Sequence, residues 1–278
     1  MYKKFLIVAS KLDKAGINIT TQLSQFKKNP LSSVLQKNEI GFDFYLVDKE
    51  IIYTENLDLE KINKYDFIIF ASKHKSEKNM KAIAVHTVGN WREARFGGER
   101  GKVSKTSAVF IKHLFEKLRL NCEKSGIKGY DITMEATHHG PLLEKPCVFV
   151  EIGSTETEYN DRRAGFVVAK TILEAIENFK ENPYNEVAIA IGGGHYCSNF
   201  NKIQEKSNVA ISHVISSYAL PITEEMIKEA IEKTDEEIDF ALIDWKGIEN
   251  VEERQKIVGV LEKNYIQWKK VSDVKNQL

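Results

Sequence analysis

The sequence has few cysteines, no net charge and no apolar run long enough to cross a membrane. Among its 278 residues there are three cysteines, Cys122, Cys147 and Cys197, and no C-x-x-C spacing. An odd, scattered set argues against a disulfide framework and fits a reducing, cytoplasmic environment. Lys plus Arg equals Asp plus Glu at 40 each, so any nucleic-acid ligand would need a local basic patch. No stretch approaches the roughly 20 apolar residues of a transmembrane helix.

Apolar strands alternate with amphipathic helices along the chain. Strands are predicted at residues 5–9, 42–47, 66–71, 82–85, 130–134, 147–152, 186–191, 209–215 and 240–243. Helices are predicted at residues 18–26, from 104 or 106 to about 124, 156–179, 223–233 and 250–265. This alternation predicts an α/β fold in which a mostly parallel, mixed sheet is flanked by helices. Without a linker rich in Pro, Gly or Ser, residues 1–278 are expected to form a single domain.

Titratable side chains follow four of the predicted strands, at or just past the point where each strand ends. They are His86, Glu135 with His138 and His139, Glu151, and His195. Ligands of open α/β sheets bind beyond the carboxyl ends of the strands. If these strands are parallel, the groups share one edge of the sheet. Each histidine taken alone is better interpreted as structural, whereas the whole set favours a functional site.

Imidazoles together with carboxylates suit zinc, which takes three or four N and O ligands and can leave a position open for water. We predict His86, His138 and His195 as metal ligands. Adjacent side chains in a turn point apart, so we expect one of the neighbouring histidines to bind the metal and the other, His139, to contact substrate as a catalytic residue. Glu135 and Glu151 are predicted to activate water. No H-E-x-x-H motif supports the zinc site independently.

Three glycines precede His195, at residues 192–194. Backbone N–H groups at Gly193 and Gly194 are predicted to contact the substrate, as a cradle for an oxyanion or a phosphate. The segment lacks the Lys and Ser/Thr of a P-loop. A tight turn that needs positive φ is the alternative interpretation, and both can hold together.

A basic segment follows His86. Arg92, Arg95 and Lys102 lie in it, with Trp91 and Phe96 interleaved. Basic and aromatic side chains beside a catalytic site suit the end of a single-stranded nucleic acid. We predict that the three cations bind substrate. Glutamates in the same segment reduce its positive charge, so an ordinary solvated loop is an equal alternative.

The remaining histidines and Cys197 are given lesser roles. His74 is placed in a polar loop, His113 on the solvated side of a helix and His213 inside a strand. All three are interpreted as structural or exposed. Cys197 could serve as a nucleophile paired with a histidine, but nothing in its surroundings marks it as more than a small residue.

Four motifs together resemble the archaeal and plant D-aminoacyl-tRNA deacylases. They are His-Thr-Val-Gly-Asn-Trp (86–91), Met-Glu-Ala-Thr-His-His-Gly-Pro (134–141), Val-Glu-Ile-Gly-Ser-Thr-Glu (150–156) and Ile-Gly-Gly-Gly-His-Tyr (191–196). The resemblance covers nearly the whole chain. It implies hydrolysis of the ester between a D-amino acid and the 3′ end of tRNA, which keeps D-residues out of translation. It also implies zinc dependence, a monomer, and a fold of the phosphorylase/peptidyl-tRNA hydrolase group.

Two other classes of function remain open on the sequence. A non-catalytic nucleotide- or phosphate-binding protein would use the glycines for phosphate and leave the histidines structural. A metallopeptidase or amidase on a similar fold would use the same metal site for a different bond.

Overall fold

The structure is a computed structural model that describes residues 2–27, 41–55, 57, 59–179 and 182–275. It is built on strands whose alternate side chains point to two differently covered faces. The strands are β1 (Lys4–Ser10), β2 (Gly41–Val47), β3 (Phe67–His74), β4 (Ala82–Asn90), β5 (Lys102–Val103), β6 (Asp131–His138), β7 (Cys147–Gly153), β8 (Glu186–Ile191), β9 (Val209–Ile215), β10 (Phe240–Ile243) and β11 (Trp268–Lys270). The helices are α1 (Lys14–Lys27), α2 (Leu59–Ile62), α3 (Ala108–Ser125), α4 (Glu156–Tyr159), α5 (Arg162–Asn178), α6 (Ser198–Lys206), α7 (Glu224–Glu232), α8 (Val251–Lys263) and α9 (Val271–Lys275).

The strands form two sheets. The larger has the order β2-β1-β3-β7-β4, with β6 and the short β5 both paired to β4. Strands β2, β1, β3 and β7 are mutually parallel, β4 runs antiparallel to β7, and β6 is parallel to β4. The smaller sheet has the order β11-β10-β8-β9 and is parallel throughout. The predicted α/β fold with mostly parallel strands flanked by helices is confirmed, divided between two sheets.

One face of the larger sheet packs against α1, α3 and α5. Its aromatic centre includes Phe67 and Phe110, whose ring centroids are 4.4 Å apart. The same apolar cluster includes Ala188 and Phe240 from the smaller sheet, so both sheets contribute to one core. The other face of the larger sheet carries a smaller apolar cluster around Phe70, which leaves part of that face for polar side chains.

Several helix ends follow their sequence signals. The side chains of Thr223 and Asn250 cap α7 and α8 by accepting hydrogen bonds from backbone N–H groups, as expected of N-cap residues. Gly126 ends α3 in the left-handed conformation, with φ of 64°. The predicted single helix at 156–179 is instead α4 and α5, because the Asp161 carboxylate accepts from two backbone N–H groups and starts a new helix.

Other elements differ in extent from the prediction. Helix α1 begins at Lys14 rather than at residue 18, since the Asp13 carboxylate accepts a 2.9 Å hydrogen bond from Gly16 N. Ile51–Tyr53 is a 3-10 turn, and α6 was not predicted. Within the described residues no helix has the length and apolar character needed to span a bilayer. The three cysteines are free and buried.

Gly153 closes β7 where its backbone passes directly beside that of His74. A Cβ atom at Gly153 would lie 2.0 Å from the His74 carbonyl oxygen. We expect Gly153→Ala to reduce the free energy of unfolding by about 1–3 kcal/mol, because backbone must move to make room. Gly259→Ala is the matched control, since that exposed helical position has open space and alanine should add about 0.5–1 kcal/mol. Urea unfolding of both variants measures this, and equal stability of Gly153→Ala and the parent would contradict the packing.

Candidate active site

One face of the larger sheet, together with the turn after β6 and the loop after β8, carries most of the imidazoles of the chain and two buried carboxylates. The side chains are His74, His86, Glu135, His138, His139, Glu151 and His195. The pairing of strands explains their common face. Ser72 on β3 pairs with Glu151 on β7, and His74, two residues further along β3, projects to the same face. His86 on β4 pairs directly with Glu135 on β6.

The groups meet in the middle of the sheet face and not along a shared edge of parallel strands. Strand β4 continues to Asn90, so His86 lies inside it, and β6 continues to His138, so Glu135 lies inside that strand. Because β4 is antiparallel to β7, the carboxyl ends of these two strands point in opposite directions. The expectation of one parallel edge is therefore wrong, although the predicted convergence of the side chains is found.

A bulge in β6 brings His138 to the face that carries Glu135. In regular alternation, side chains three residues apart point to opposite faces. His86 pairs with Glu135 and Val88 with His138, so two steps along β4 match three along β6. The extra residue reverses the alternation beyond the bulge. His138 Nε2 consequently lies 3.9 Å from Glu135 Oε2.

His74 links the two buried carboxylates. Its Nδ1 lies 3.2 Å from Glu135 Oε1 and 3.6 Å from Glu151 Oε2, and all three side chains are almost completely buried. Burial alone would lower the pKa of His74, but the two carboxylates outweigh it and raise that pKa to about 10. Burial also acts to raise the pKa of Glu151, yet contacts with His74 and His86 lower it to about 2. Burial acts to raise the pKa of Glu135 as well, but contacts with His195 and His74 hold that pKa well below its usual value, so both carboxylates are anions.

Three imidazoles have their Nδ1 atoms fixed by the backbone. His86 Nδ1 lies 3.0 Å from Thr87 O, His138 Nδ1 2.8 Å from Ala136 O, and His139 Nδ1 2.7 Å from Gly140 O. A carbonyl oxygen can only accept, so each Nδ1 carries the proton and donates. The pKa of His138 lies well below its usual value, and that of His139 falls to about 4, chiefly through burial and then through the neighbouring His86. Both rings are neutral, and their Nε2 lone pairs are free to bind a cation.

Several buried polar atoms at this face make no hydrogen bond of regular geometry among the described residues, although imidazole nitrogens lie 3.2 and 3.4 Å from Glu135 Oε1. These buried atoms are both carboxylate oxygens of Glu135 and the Nε2 of His86. Leaving such atoms unsatisfied in a protein interior costs free energy. Three overlapping sets have ligand atoms within 4.8 Å of one another: His86, His138 and His139; Glu135, His138 and His195; and His74, Glu135 and Glu151. This donor chemistry fits a metal ion.

A cavity of about 380 Å³ opens onto this face. Its polar walls include His74, His138, His139, Glu151 and His195. Glu135 and His86 lie beneath this lining, 1% and 0% exposed. Around the opening the chain presents Leu12, Tyr53 and Phe96 together with Lys73 and Lys75. The cavity has room for a small polar substrate held against a row of imidazoles and carboxylates.

The predicted catalytic and metal-binding residues all belong to this cluster. They are Glu135, His139 and Glu151 for catalysis, and His86, His138 and His195 for metal. His195 Nε2 lies 3.4 Å from Glu135 Oε1. His86 and His195 fall into different candidate sets, joined through His138.

The three predicted substrate-binding cations lie outside the cavity lining among the described residues. Arg92 Nε donates to Ala219 O at 3.0 Å and a second guanidinium nitrogen donates to Pro221 O. Arg95 pairs with Glu93 at 2.7 Å, and Lys102 pairs with Glu229 at 3.1 Å. Trp91, expected beside them, is 4% exposed and donates from Nε1 to Val214 O.

The glycine segment forms a tight turn beside His195. Gly193 is buried with φ of +73°, and its carbonyl accepts hydrogen bonds from Ser217 N at 2.9 Å and Ser217 Oγ at 2.8 Å. Gly194 is exposed, with open space where a Cβ would stand. Cys197 is buried and its thiol pKa is raised well above the usual value by burial, so the thiol stays protonated and is a poor nucleophile.

His74 belongs to the site although the sequence predicts it outside. The polar residues after Ala71 predict a loop there, whereas β3 runs to His74. Ile68, Phe70, Ser72 and His74 follow each other with a period of two, which is the signal that could have extended the strand. The placement of His113 on the solvated side of its helix is wrong, because its ring packs against Phe179 and its Nε2 is buried. His213 is structural as expected, buried in β9.

A family model and several curated proteins resemble this chain, and all of them are described as D-aminoacyl-tRNA deacylases. A model of the family described as D-aminoacyl-tRNA deacylase matches residues 61–269. The D-aminoacyl-tRNA deacylase of Methanocaldococcus jannaschii is 34% identical over 96% of this chain and the whole of that protein. That of Pyrococcus abyssi is 35% identical over 87% of this chain and 91% of its own length.

A solved structure extends the similarity to the fold. The crystal structure of a conserved protein of unknown function, AF0625, superposes with a TM-score of 0.86 at 29% identity, covering 99% of this chain and 97% of the other. The relatives align along almost the entire sequence, so the resemblance carried by the four motifs extends beyond them. This chain belongs to the D-aminoacyl-tRNA deacylase family.

Proposed function

We propose that this chain hydrolyses the ester bond between a D-amino acid and the 3′ end of tRNA, and that the ester is cleaved in the cavity over the histidine- and glutamate-bearing face. Family membership supports the reaction. One structural observation supports the location: the buried carboxylate of Glu135 makes no hydrogen bond of regular geometry among the described residues, and its Oε1 lies 3.2 Å from His74 Nδ1 and 3.4 Å from His195 Nε2. Such an arrangement suits a cation and the chemistry it assists.

Zinc is the proposed cation. Glu135, His138 and His195 would hold it, since two imidazoles and one carboxylate with an open position are a recurrent catalytic zinc set. The Ala136 carbonyl fixes the His138 ring so that Nε2 presents its lone pair. His74 restrains the other side of Glu135, at 3.2 Å, and so positions the carboxylate. His86, a predicted ligand, lies deeper and nearer to Glu151, at 3.8 Å.

Zinc held there supplies Lewis acidity, which makes water a better nucleophile near neutral pH. Glu151 lines the cavity as an anion, and His139 lines it as a neutral imidazole. We assign to Glu151 the acceptance of the proton that water loses as it attacks the ester carbonyl. That proton then passes to the departing ribose oxygen, which leaves free D-amino acid and tRNA. His139 is assigned to orient the substrate beside the reacting water.

The acceptor end of tRNA is the proposed macromolecular partner, met by a monomer in the cytoplasm. The free state of the three cysteines suits a reducing compartment. Arg92, Arg95 and Lys102 remain candidate contacts for tRNA outside the cavity, and Gly193 and Gly194 candidate contacts nearer to it. The first three are already paired with protein groups, so each would have to exchange a partner to bind phosphate.

Zinc binding tests the ligand assignment. We expect the purified protein to contain zinc, and His138→Ala and His195→Ala to lose it, because each removes a ligand. His74→Gln should retain the site but weaken zinc affinity by about 10- to 100-fold, since it removes support from a ligand. Elemental analysis and titration against a chelating dye measure this. His113→Ala is the control, because His113 lies on α3 against Phe179. Full zinc content in both ligand variants would show that His138 and His195 are not zinc ligands.

Deacylation tests the reaction itself. The wild type should hydrolyse D-tyrosyl-tRNA and leave L-tyrosyl-tRNA and peptides largely intact, with activity lost on chelation and restored by zinc. Glu151→Gln should lower kcat/KM by about 10²- to 10⁴-fold while zinc stays bound, as expected for loss of a general base. Release of labelled amino acid provides the measurement. Cleavage of peptides in place of D-tyrosyl-tRNA would support a metallopeptidase instead. Full activity of Glu151→Gln would show that Glu151 is not the general base.

A further inference from the structure

Three large apolar side chains surround the opening of the cavity and are exposed to solvent. Leu12 is 63% exposed, Tyr53 42% and Phe96 61%. We call these three residues the apolar rim. A single exposed hydrophobic residue is ordinary, but several at the mouth of one polar cavity form a patch of the kind that binds a ligand. Lys73 and Lys75 line the same cavity on either side of His74, as does Glu50, whose carboxylate lies 3.8 Å from Lys73 Nζ, so Lys73 would exchange this partner to bind phosphate.

The Phe96 segment is held firmly although its ring is exposed. Phe96 O accepts a 2.9 Å hydrogen bond from Gly140 N, and Asn90 Nδ2 donates to Gly97 O at 2.8 Å. Gly97 has φ of +70°, and a Cβ there would lie 1.7 Å from Ile52 O. The backbone that presents Phe96 therefore packs directly on the turn that presents Tyr53. The exposure of Phe96 is built into this packing and is not the result of a loosely attached loop.

The same contacts join the apolar rim to the hydrolytic cluster. Gly140, which holds Phe96, follows His138 and His139 directly in the chain. A Cβ at Gly140 would lie 2.4 Å from Gly98 N, so this turn and the Phe96 segment are in close contact. A flat group that rests on the rim would thus be kept at a fixed distance from the imidazoles.

We propose that the apolar rim is the binding site for the unpaired terminal base of tRNA, stacked against Phe96 and Tyr53, with Lys73 and Lys75 beside the adjoining phosphate. This rests on the proposed function. The scissile ester is attached to the ribose of the terminal nucleotide, so the base lies one nucleoside away from the cleaved bond. Aromatic side chains supply a stacking surface for any base, and lysines supply charge complementary to phosphate. The combination of aromatic and cationic groups at the cavity mouth favours a nucleotide over a second protein.

Binding of the trinucleotide CCA, the single-stranded 3′ end of tRNA, tests the proposal without catalysis. Phe96→Ala and Tyr53→Ala should each weaken binding to the zinc-loaded protein by about 5- to 100-fold, the usual loss for one stacked base. Tyr265→Ala is the matched control, because Tyr265 is 93% exposed and lies beyond α8. Fluorescence anisotropy of a 5′-labelled trinucleotide measures the affinity, and thermal unfolding verifies that each variant is folded. Unchanged affinity in both rim variants would overturn the proposal.

Steady-state kinetics separates stacking from a general defect. Phe96→Ala should raise KM for D-tyrosyl-tRNA and leave hydrolysis of D-tyrosine methyl ester, which has no base, unchanged. Equal losses on both substrates would mean that Phe96 supports the cavity and does not bind the base. A dimer that Phe96→Ala dissociates, with CCA affinity unchanged, would show that the rim joins two copies of the chain and would also overturn the proposal. If the wild type fails to deacylate D-tyrosyl-tRNA yet binds CCA through Phe96, the proposed function fails and the rim assignment stands.

Discussion

Two carboxylates buried inside a sheet are the constraint on which the rest of this structure depends. Glu135 and Glu151 are 1% and 3% exposed. An isolated anion at such a depth is costly by several kcal/mol, so positive or hydrogen-donating groups must lie next to it. Here that function falls to imidazoles, with His74 within 3.6 Å of both carboxylates. The buried carboxylates therefore require the histidine cluster, and the same histidines supply groups for catalysis.

The division of the sheet into two faces makes this arrangement possible. Alternate residues of β7, such as Val148 and Val150, face the helices, while Phe149 and Glu151 face the cavity side. The apolar face supplies the stability that allows the opposite face to hold unsatisfied polar atoms. Part of the polar face is closed by the apolar cluster around Phe70, and the remainder is open as the cavity.

The amino-acid pattern predicts which side chains carry chemistry better than it predicts how they meet. Strand periodicity located Glu151 and His195, and the four motifs indicated the family. The antiparallel pairing of β4 with β7 depends on contacts between distant residues, and no local pattern encodes it. The bulge at residues 136–137 is equally hidden, since it exists only relative to the partner strand. His74 was recoverable, because the alternation of β3 continues past Ala71.

The segment after His86 shows why composition alone misleads. Its basic and aromatic residues suggested one continuous surface for nucleic acid, yet Trp91 is buried and Arg92 is bound to backbone carbonyls at residues 219 and 221. Those two residues attach the segment to the smaller sheet and the turn that follows it. Phe96 alone among the residues named there lines the cavity. Trp91 is buried and structural, whereas Phe96 is exposed. The sequence does not predict the burial of a single aromatic residue.

Anomalous X-ray diffraction at the zinc absorption edge, from crystals grown with zinc, tests whether the polar face of the sheet is one metal-dependent hydrolytic centre. Such a centre predicts a zinc peak at about 2.0–2.2 Å from Glu135 and from the ring nitrogens of His138 and His195. A protein that deacylates D-tyrosyl-tRNA while its crystals show no zinc peak on this face would contradict a metal-dependent centre there.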